Sequence, residues 1–388
     1  MDTSDAVYID LQKHLDRQAV GFPATQSGVE LRLLKHIFNP LEARIAMCLT
    51  YRYEPLDVIL GRAKSLDISP GDLARILEAI QIKGGIDVKI KSGRLHYCLL
   101  PLVVGMYEMQ LGRLTPEFIR DFREYTSTRR FGIELISTSL PQMRTIPIAR
   151  SLEARSDVRT FDEVAGMMAL AQVPFAVLEC ICRKKKALDG HACQVTDRTE
   201  TCLALGSVAA SAVKSGFARE ISRSEAVSIL DLNQKQGLVL QPSNSEIPEF
   251  ICSCCGCCCG ILGIHKSLPR PLDFWATNFH AVVDTASCTG CGMCVRRCQV
   301  DAVTVSGKKS PAVVDLDRCI GCGVCVPACP EKAVTLVKRT IQTRPPRTRE
   351  ELYDKIMARK KTRLGKLKLT GKLVVDAILT GQADRLSR

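Results

Sequence analysis

A repeated run of four cysteines constrains the fold of this chain more than any other feature. Both copies have the spacing C-x₂-C-x₂-C-x₃-C, with glycines in the two-residue gaps. Glycine lets a loop wrap closely around a ligand and point its N–H groups at the sulfur atoms. Zinc sites usually pair two CxxC units across a long gap, whereas runs of this kind are typical of iron–sulfur ligation. The runs consist of Cys288, Cys291, Cys294 and Cys298, and of Cys319, Cys322, Cys325 and Cys329.

Residues 281–339 resemble a bacterial-type ferredoxin with two [4Fe–4S] clusters. The resemblance implies that the fourth cysteine of each run ligates the cluster of the other run, which interlocks the two repeats. The second run keeps the proline that follows the fourth cysteine, Pro330, whereas the first run has Gln299 at that position. The implied ligand sets are Cys288, Cys291, Cys294 and Cys329 for one cluster, and Cys319, Cys322, Cys325 and Cys298 for the other.

Ten further cysteines lie upstream of the repeat, and all ten are candidate metal ligands. Alternate side chains of an extended segment point apart, so adjacent cysteines cannot all reach one cofactor. The CSCCGCCC box at residues 252–259 therefore predicts two sites, or one site and a reactive dithiol. We expect the nearby His191 to be a solvated loop residue and not a ligand. The ten are Cys180, Cys182, Cys193, Cys202, Cys252, Cys254, Cys255, Cys257, Cys258 and Cys259.

Three interpretations of these ten cysteines stay open: one or more additional iron–sulfur clusters, which we favour, a zinc site, or a redox-active thiol site. The CICR segment, the box and the repeat together are similar to large ferredoxin-like iron–sulfur proteins of anaerobic prokaryotes. That similarity implies electron transfer in an anaerobic host. Cys48 and Cys98 stand alone, and we expect them to be buried as small hydrophobic residues.

The pattern of apolar residues and cysteines predicts an α+β multidomain chain. Helices followed by a hairpin over residues 86–99 resemble a winged-helix domain. Its candidate recognition helix, capped by Ser69 and Pro70, carries no net charge, which disfavours DNA binding and favours docking of a partner or of a second copy. The predicted domains are an N-terminal winged-helix-like domain at 1–130, a central α/β cysteine-rich domain at 131–280, a C-terminal ferredoxin-like dicluster domain at 281–339, and a basic tail at 340–388.

The positive charge is concentrated at the end of the chain. Residues 339–388 contain 14 Lys+Arg and 5 Asp+Glu, which is +9 of the net +13. Gly365 and Gly371 predict breaks in any long helix there, so we expect a flexible solvated arm. The alternatives are docking on an acidic redox partner, and contact with an anionic membrane surface or with nucleic acid. Abundant cysteine without an apolar signal core or a spanning segment predicts a cytoplasmic location.

The sequence therefore predicts an iron–sulfur protein that passes single electrons between a donor and a partner oxidoreductase. Two [4Fe–4S] clusters are expected in the repeat and at least one more cluster in the central domain. No dinucleotide, phosphate-loop or zinc-protease motif is present, so the chain reads as an electron-transfer component more than as a stand-alone enzyme. The alternatives are a redox-sensing winged-helix regulator and a reductase with a catalytic cluster in the central domain.

Overall fold

The computed structural model describes residues 5–138, 140–152, 160–307 and 309–382. It is a mixed α/β structure in which several small sheets are surrounded by helices. Within the described ranges, every helix is too short or too polar to cross a bilayer.

The N-terminal region is mostly helical, and a small antiparallel sheet lies between its earlier and its later helices. Ser69 accepts a hydrogen bond from the Asp72 backbone N–H, so the predicted cap is confirmed. The predicted hairpin is also confirmed, and a short extra strand pairs with its second arm. The spacing of apolar residues over Leu41–Tyr51 predicts a helix, but the helix in the structure ends at Ala46. The elements are α1 (Ala6–Asp16), α2 (Val29–Ile37), α3 (Pro40–Ala46), β1 (Glu54–Pro55), α4 (Leu56–Arg62), α5 (Pro70–Ile82), β2 (Ile86–Lys91), β3 (Arg94–Leu99), α6 (Pro116–Thr126) and α7 (Arg129–Ile136).

The central region is built on an antiparallel sheet with the strand order β6-β4-β5-β8-β7. The apolar run after Pro174 predicts a buried strand that ends at Cys180, and the strand Phe175–Glu179 is present there. Ser222 and Glu225 predict the start of a helix, and Ser222 caps the helix Arg223–Gln236. Strands β4 and β8 are both antiparallel to β5, so they end on the same side of the sheet, one directly before Cys180 and the other at Cys254 inside the box. The elements are α8 (Val164–Leu170), β4 (Phe175–Glu179), α9 (Ile181–Leu188), β5 (Glu200–Leu205), α10 (Ser207–Lys214), β6 (Ala218–Ile221), α11 (Arg223–Gln236), β7 (Val239–Pro242), β8 (Phe250–Cys254) and α12 (Gly260–Ser267).

The cysteine repeat forms short strands and loops that pack directly on the central sheet. Strands β9 and β12 pair antiparallel, from Phe279 opposite Lys338 to Val283 opposite Val334. One apolar core joins Val177 and Leu240 of the central sheet to Val303 and Val334 of the repeat. The two regions are therefore held in a fixed relation by burial of apolar surface. The elements are β9 (Phe279–Val283), α13 (Met293–Arg297), β10 (Val303–Thr304), β11 (Val313–Val314) and β12 (Val334–Lys338).

The C-terminal segment consists of two helices that pack back onto the body, α14 (Arg349–Ala358) and α15 (Arg363–Leu379). The expectation of a helix broken at Gly365 and Gly371 is wrong, because α15 runs through both. Leu369 and Leu373 of α15 are buried with Ile136 and Leu268. This packing offsets the cost of about 1 kcal/mol that each glycine imposes on a helix.

Candidate metal centres

Four cysteines from both repeats surround a small cavity near the surface, and we call them the outer quartet: Cys288, Cys291, Cys294 and Cys329. Cys291 is exposed and Cys294 is buried. Gly290 has a φ of +70°, and a Cβ there would lie 2.5 Å from the Ser310 carbonyl oxygen. Only glycine allows the loop to approach that closely. The structure thus brings Cys329 to the first run, as interlocked ligation requires.

The complementary set, the inner quartet, is deeper in the protein: Cys298, Cys319, Cys322 and Cys325. Cys319 and Cys325 are buried, and burial raises the pKa of the Cys322 thiol to about 12. A Cβ on Gly321 would lie 2.2 Å from the Phe279 carbonyl oxygen, so this loop is held close to β9. Four thiols gathered at one place, two of them buried and two half-buried, need a cation or cationic cluster to become thiolates.

Backbone N–H groups point at the sulfur atoms of both quartets. Ala302 N lies 3.2 Å from Cys298 Sγ, Ala312 N lies 3.4 Å from Cys288 Sγ, and Ala281 N lies 3.4 Å from Cys319 Sγ. Such hydrogen bonds stabilise negative charge on sulfur, and they are one of the means by which a protein sets the reduction potential of an iron–sulfur cluster.

Six of the central cysteines form a closed cycle of thiol neighbours that we call the six-thiol ring. Each thiol interacts with two others, in the order Cys180, Cys182, Cys259, Cys254, Cys252, Cys202 and back to Cys180. They line a cavity of about 130 Å³. The Cys180 and Cys252 thiols lower the pKa of Cys202, whereas the Cys180 and Cys259 thiols and burial raise the pKa of Cys182. The thiols of the ring therefore favour deprotonation at some positions and protonation at others. Binding of an iron–sulfur cluster would release the remaining protons as the thiols become thiolate ligands.

The other four central cysteines form a separate group, the thiol tetrad: Cys193, Cys255, Cys257 and Cys258. The Cys193 Sγ atom lies 3.6 Å from Cys255 Sγ and 3.8 Å from Cys257 Sγ. Cys193 comes from the loop between α9 and β5, whereas the other three lie in the turn between β8 and α12. The box is thus divided between two groups, with Cys252, Cys254 and Cys259 in the ring and Cys255, Cys257 and Cys258 in the tetrad. The adjacent Cys257 and Cys258 share one group because they lie in a turn and not in an extended strand. His191 is exposed and is outside the tetrad.

The buried, positively charged side chain of Arg183 lies between the ring and the tetrad. The Arg183 side chain interacts with the thiols of Cys180 and Cys202 in the ring and of Cys255 in the tetrad. Its Nη2 donates a hydrogen bond to the Ser253 carbonyl oxygen at 2.7 Å, which fixes the guanidinium beside the box. One positive charge at this position favours thiolates in both groups.

The box also touches the inner quartet. The Gly256 N–H donates a hydrogen bond to Gln299 Oε1 at 2.8 Å, and Gln299 directly follows Cys298. A Cβ on Gly256 would lie 2.2 Å from the Gln299 carbonyl oxygen. The residue that departs from the proline of the ferredoxin pattern is therefore the residue that joins the repeat to the central cysteines.

Sequence reasoning missed Glu108, a half-buried acid from the N-terminal region that also lines the ring cavity. Burial raises its pKa to about 7, although the Gly105 N–H donates to its Oε2 at 2.6 Å. Nothing in the sequence around Glu108 distinguishes it from a surface carboxylate, because its position depends on the packing of distant segments. Cys98 is buried as expected and Cys48 is half-buried, and both lie apart from the ring, the tetrad and the quartets.

Residues 280–340 match the family model of the 4Fe-4S dicluster domain. No curated protein matches the chain. The match, together with the two quartets, identifies this segment as a ferredoxin-like 4Fe–4S module, and modules of this class carry out iron–sulfur electron transfer.

Proposed function

We propose that the chain is a multi-cluster electron-transfer protein that passes single electrons from a reduced donor protein to a partner oxidoreductase. The two quartets would each hold a [4Fe–4S] cluster, and the six-thiol ring would hold a further iron–sulfur cluster. The hydrogen bond between Gln299 and Gly256 carries this proposal, because it brings the ferredoxin module into contact with the central cysteines. The bound clusters would supply one-electron reduction and oxidation, with no proton or organic intermediate required.

The outer quartet is the proposed point of exchange with a protein partner. Cys291 is exposed, and the apolar side chains of Met293 and Val295 beside it are 37% and 36% exposed. Apolar side chains that surround a redox centre at the surface favour a short-lived protein contact. The inner quartet is covered by the central region. Electron transfer between the inner quartet and the six-thiol ring is therefore favoured over transfer from the inner quartet to a partner protein.

The N-terminal region is proposed as a winged-helix-like docking domain and not as a DNA reader. Its α5 is packed against α10, where Gln81 Nε2 donates to Ser211 Oγ at 2.9 Å and Lys214 contacts Glu78 at 2.7 Å. A recognition helix needs such side chains free for base edges. The wing is engaged as well, since Lys91 pairs with Glu350 of α14. These contacts disfavour the regulator alternative.

The tail is proposed to bind an acidic redox partner through α15. One face of this helix packs on the body, while Leu367 and Ile378 on the other face are each 68% exposed. Lys368 lies on the exposed side among these apolar residues. The combination of apolar and basic side chains suits a partner with acidic residues around an apolar patch. We place the chain in the reducing cytoplasm of an anaerobe, where so many unpaired thiols survive.

The test removes one ligand from each quartet with Cys291→Ala and Cys322→Ala in the same full-length chain. The protein is purified without oxygen and reduced with dithionite, and the rate at which it reduces cytochrome c is measured by stopped flow. We expect at least a tenfold lower rate. Cys48→Ser is the matched control, because that thiol lies outside the proposed sites, and its rate should equal that of wild type. A wild-type rate in the double variant would show that the module is not the conductor.

A further inference from the structure

The thiol tetrad has a different geometry from every other group of cysteines in the described ranges. The four Sγ atoms of Cys193, Cys255, Cys257 and Cys258 all lie within 4.8 Å of one another. Three of the pairs are at 3.6, 3.8 and 3.6 Å. We propose that the tetrad binds one tetrahedral divalent metal ion, Zn²⁺ or Fe²⁺, with no bridging sulfide, separate from the iron–sulfur clusters.

The sulfur–sulfur distances carry the proposal. A metal–thiolate bond of about 2.3 Å in a tetrahedral site places the sulfur atoms about 3.8 Å apart. The tetrad has this spacing already. A four-iron cluster takes one thiolate on each iron, and its irons are separated by bridging sulfides, so its four thiolates stand farther apart.

The same structure provides an internal comparison. Among the described residues, no three thiols of either quartet or of the six-thiol ring lie within 4.8 Å of one another. The cysteines are therefore widely spaced in the segment that matches the 4Fe-4S dicluster domain, and they are closely spaced in the tetrad. Two kinds of metal site follow from two kinds of spacing.

The surrounding chain explains what such an ion would do. Cys193 lies in a stretch between α9 and β5 that is without helix or strand, and Cys255, Cys257 and Cys258 lie in the turn after β8. Backbone hydrogen bonds from Cys258 N and Cys259 N to the Cys255 carbonyl oxygen shape this turn. One ion would join two irregular segments that are 62 residues apart. The stabilisation follows from the bond energy that a structural metal contributes to folding.

The ion would also hold the junction between the module and the ring. Gly256, which donates to Gln299, lies between two tetrad ligands, and Cys254 and Cys259 of the ring flank the same turn. Four thiolates on one divalent ion carry a net charge of −2, and the Arg183 side chain beside Cys255 offsets part of that charge. The proposed role is structural, and the ion itself need not change oxidation state. This role is independent of the electron-transfer proposal.

The first test compares metal and acid-labile sulfide per chain in anaerobically purified wild type, Cys193→Ser and Cys257→Ser, with Cys48→Ser as control. We expect each tetrad variant to lose about one metal ion per chain, while labile sulfide and the EPR signals of the reduced module stay unchanged. Loss of zinc or loss of iron tells which ion is bound. A fall in labile sulfide along with several irons would overturn the proposal, and so would unchanged metal content.

A second test needs no variant, so a folding failure cannot obscure it. X-ray absorption at the zinc edge of the wild-type protein should show four sulfur neighbours at about 2.3 Å and no iron neighbour. For a chain loaded with iron alone, Mössbauer spectra should contain a mononuclear tetrathiolate component besides the cluster components. Absence of both signatures would contradict the proposal even if the module transfers electrons normally.

Discussion

Gln299 and Gly256 are joined by a hydrogen bond of 2.8 Å that connects the ferredoxin module to the central cysteine box. Each residue is unusual in its own setting. Gln299 stands where the ferredoxin pattern has proline, which has a ring in place of a polar side chain, and Gly256 is the one non-cysteine within CCGCCC. Gln299 is buried, at 7% exposed, and Gly256 is half-buried. Its two ends belong to loops that present thiols, so small changes here should affect both regions.

Replacing Gln299 with leucine should weaken the junction. The change leaves the Gly256 N–H without its acceptor, which costs about 1–3 kcal/mol when the group is buried. We expect a lower midpoint in denaturant and slower reduction of the central clusters after the module is reduced. Gln12→Leu is the matched control, because the Gln12 side chain likewise makes a hydrogen bond to the backbone, here by donating to the Phe22 carbonyl oxygen in the N-terminal region. Equal electron-transfer rates in the two variants would contradict the proposed route.

Gly256→Ala should be destabilising for a steric reason. The new Cβ would lie 2.2 Å from the Gln299 carbonyl oxygen, so the loops must separate. Overpacking of this kind costs typically about 1–3 kcal/mol. Gly263→Ala in α12 is the control, since a Cβ there meets no atom within 4 Å and alanine favours a helix. Denaturant titration should give a lower midpoint for the first variant and an unchanged or higher one for the second.

Arg183→Met should reduce the metal content of the central region. Without the guanidinium, thiolates at Cys180, Cys202 and Cys255 lose their nearest positive charge. We expect fewer irons per chain and an unchanged EPR signal from the module. Arg144→Met controls for the general cost of losing a buried arginine, because Arg144 pairs with Asp162 at 3.1 Å. A similar loss of iron in both variants would mean that the effect is only structural.

Glu108 should make stability depend on pH. Burial raises its pKa to about 7 from the usual 4.5, so the folded state binds more protons than the unfolded state between these values. The free energy of unfolding should therefore be highest below about pH 4.5 for this group and fall as pH rises to about 7, by roughly 3 kcal/mol. Glu108→Gln should remove that part of the slope. Parallel pH profiles of the two proteins would show that Glu108 is ionised when folded.

Local signals in the sequence predicted the local structure well. The apolar run before Cys180 became β4, and Ser69 and Ser222 cap helices, because short-range hydrogen bonds and burial determine these features. The two quartets are expected from the resemblance to two-cluster ferredoxins, which implies that the fourth cysteine of each run joins the other run.

Long-range packing accounts for what could not be predicted. Cys193 follows Cys180 and Cys182 in sequence, yet it joins Cys255 across 62 residues, because α9 carries its loop to the end of β8. Glu108 reaches the ring cavity from a segment with no cysteine motif. Helix α15 passes through Gly371 because its buried leucines pack on α7 and α12, a tertiary effect that overrides local propensity.

Helix α14 completes the cavity of the six-thiol ring, although it is synthesised after all six ring cysteines. Arg349, Leu352 and Tyr353 line the same cavity as the six-thiol ring, and Arg349 lies over the aromatic ring of Tyr353 at 4.3 Å. During synthesis the ribosome releases all six ring cysteines well before these residues emerge. The wall of the cavity is thus completed last, and until α14 has been synthesised the side of the cavity that Arg349, Leu352 and Tyr353 line is open.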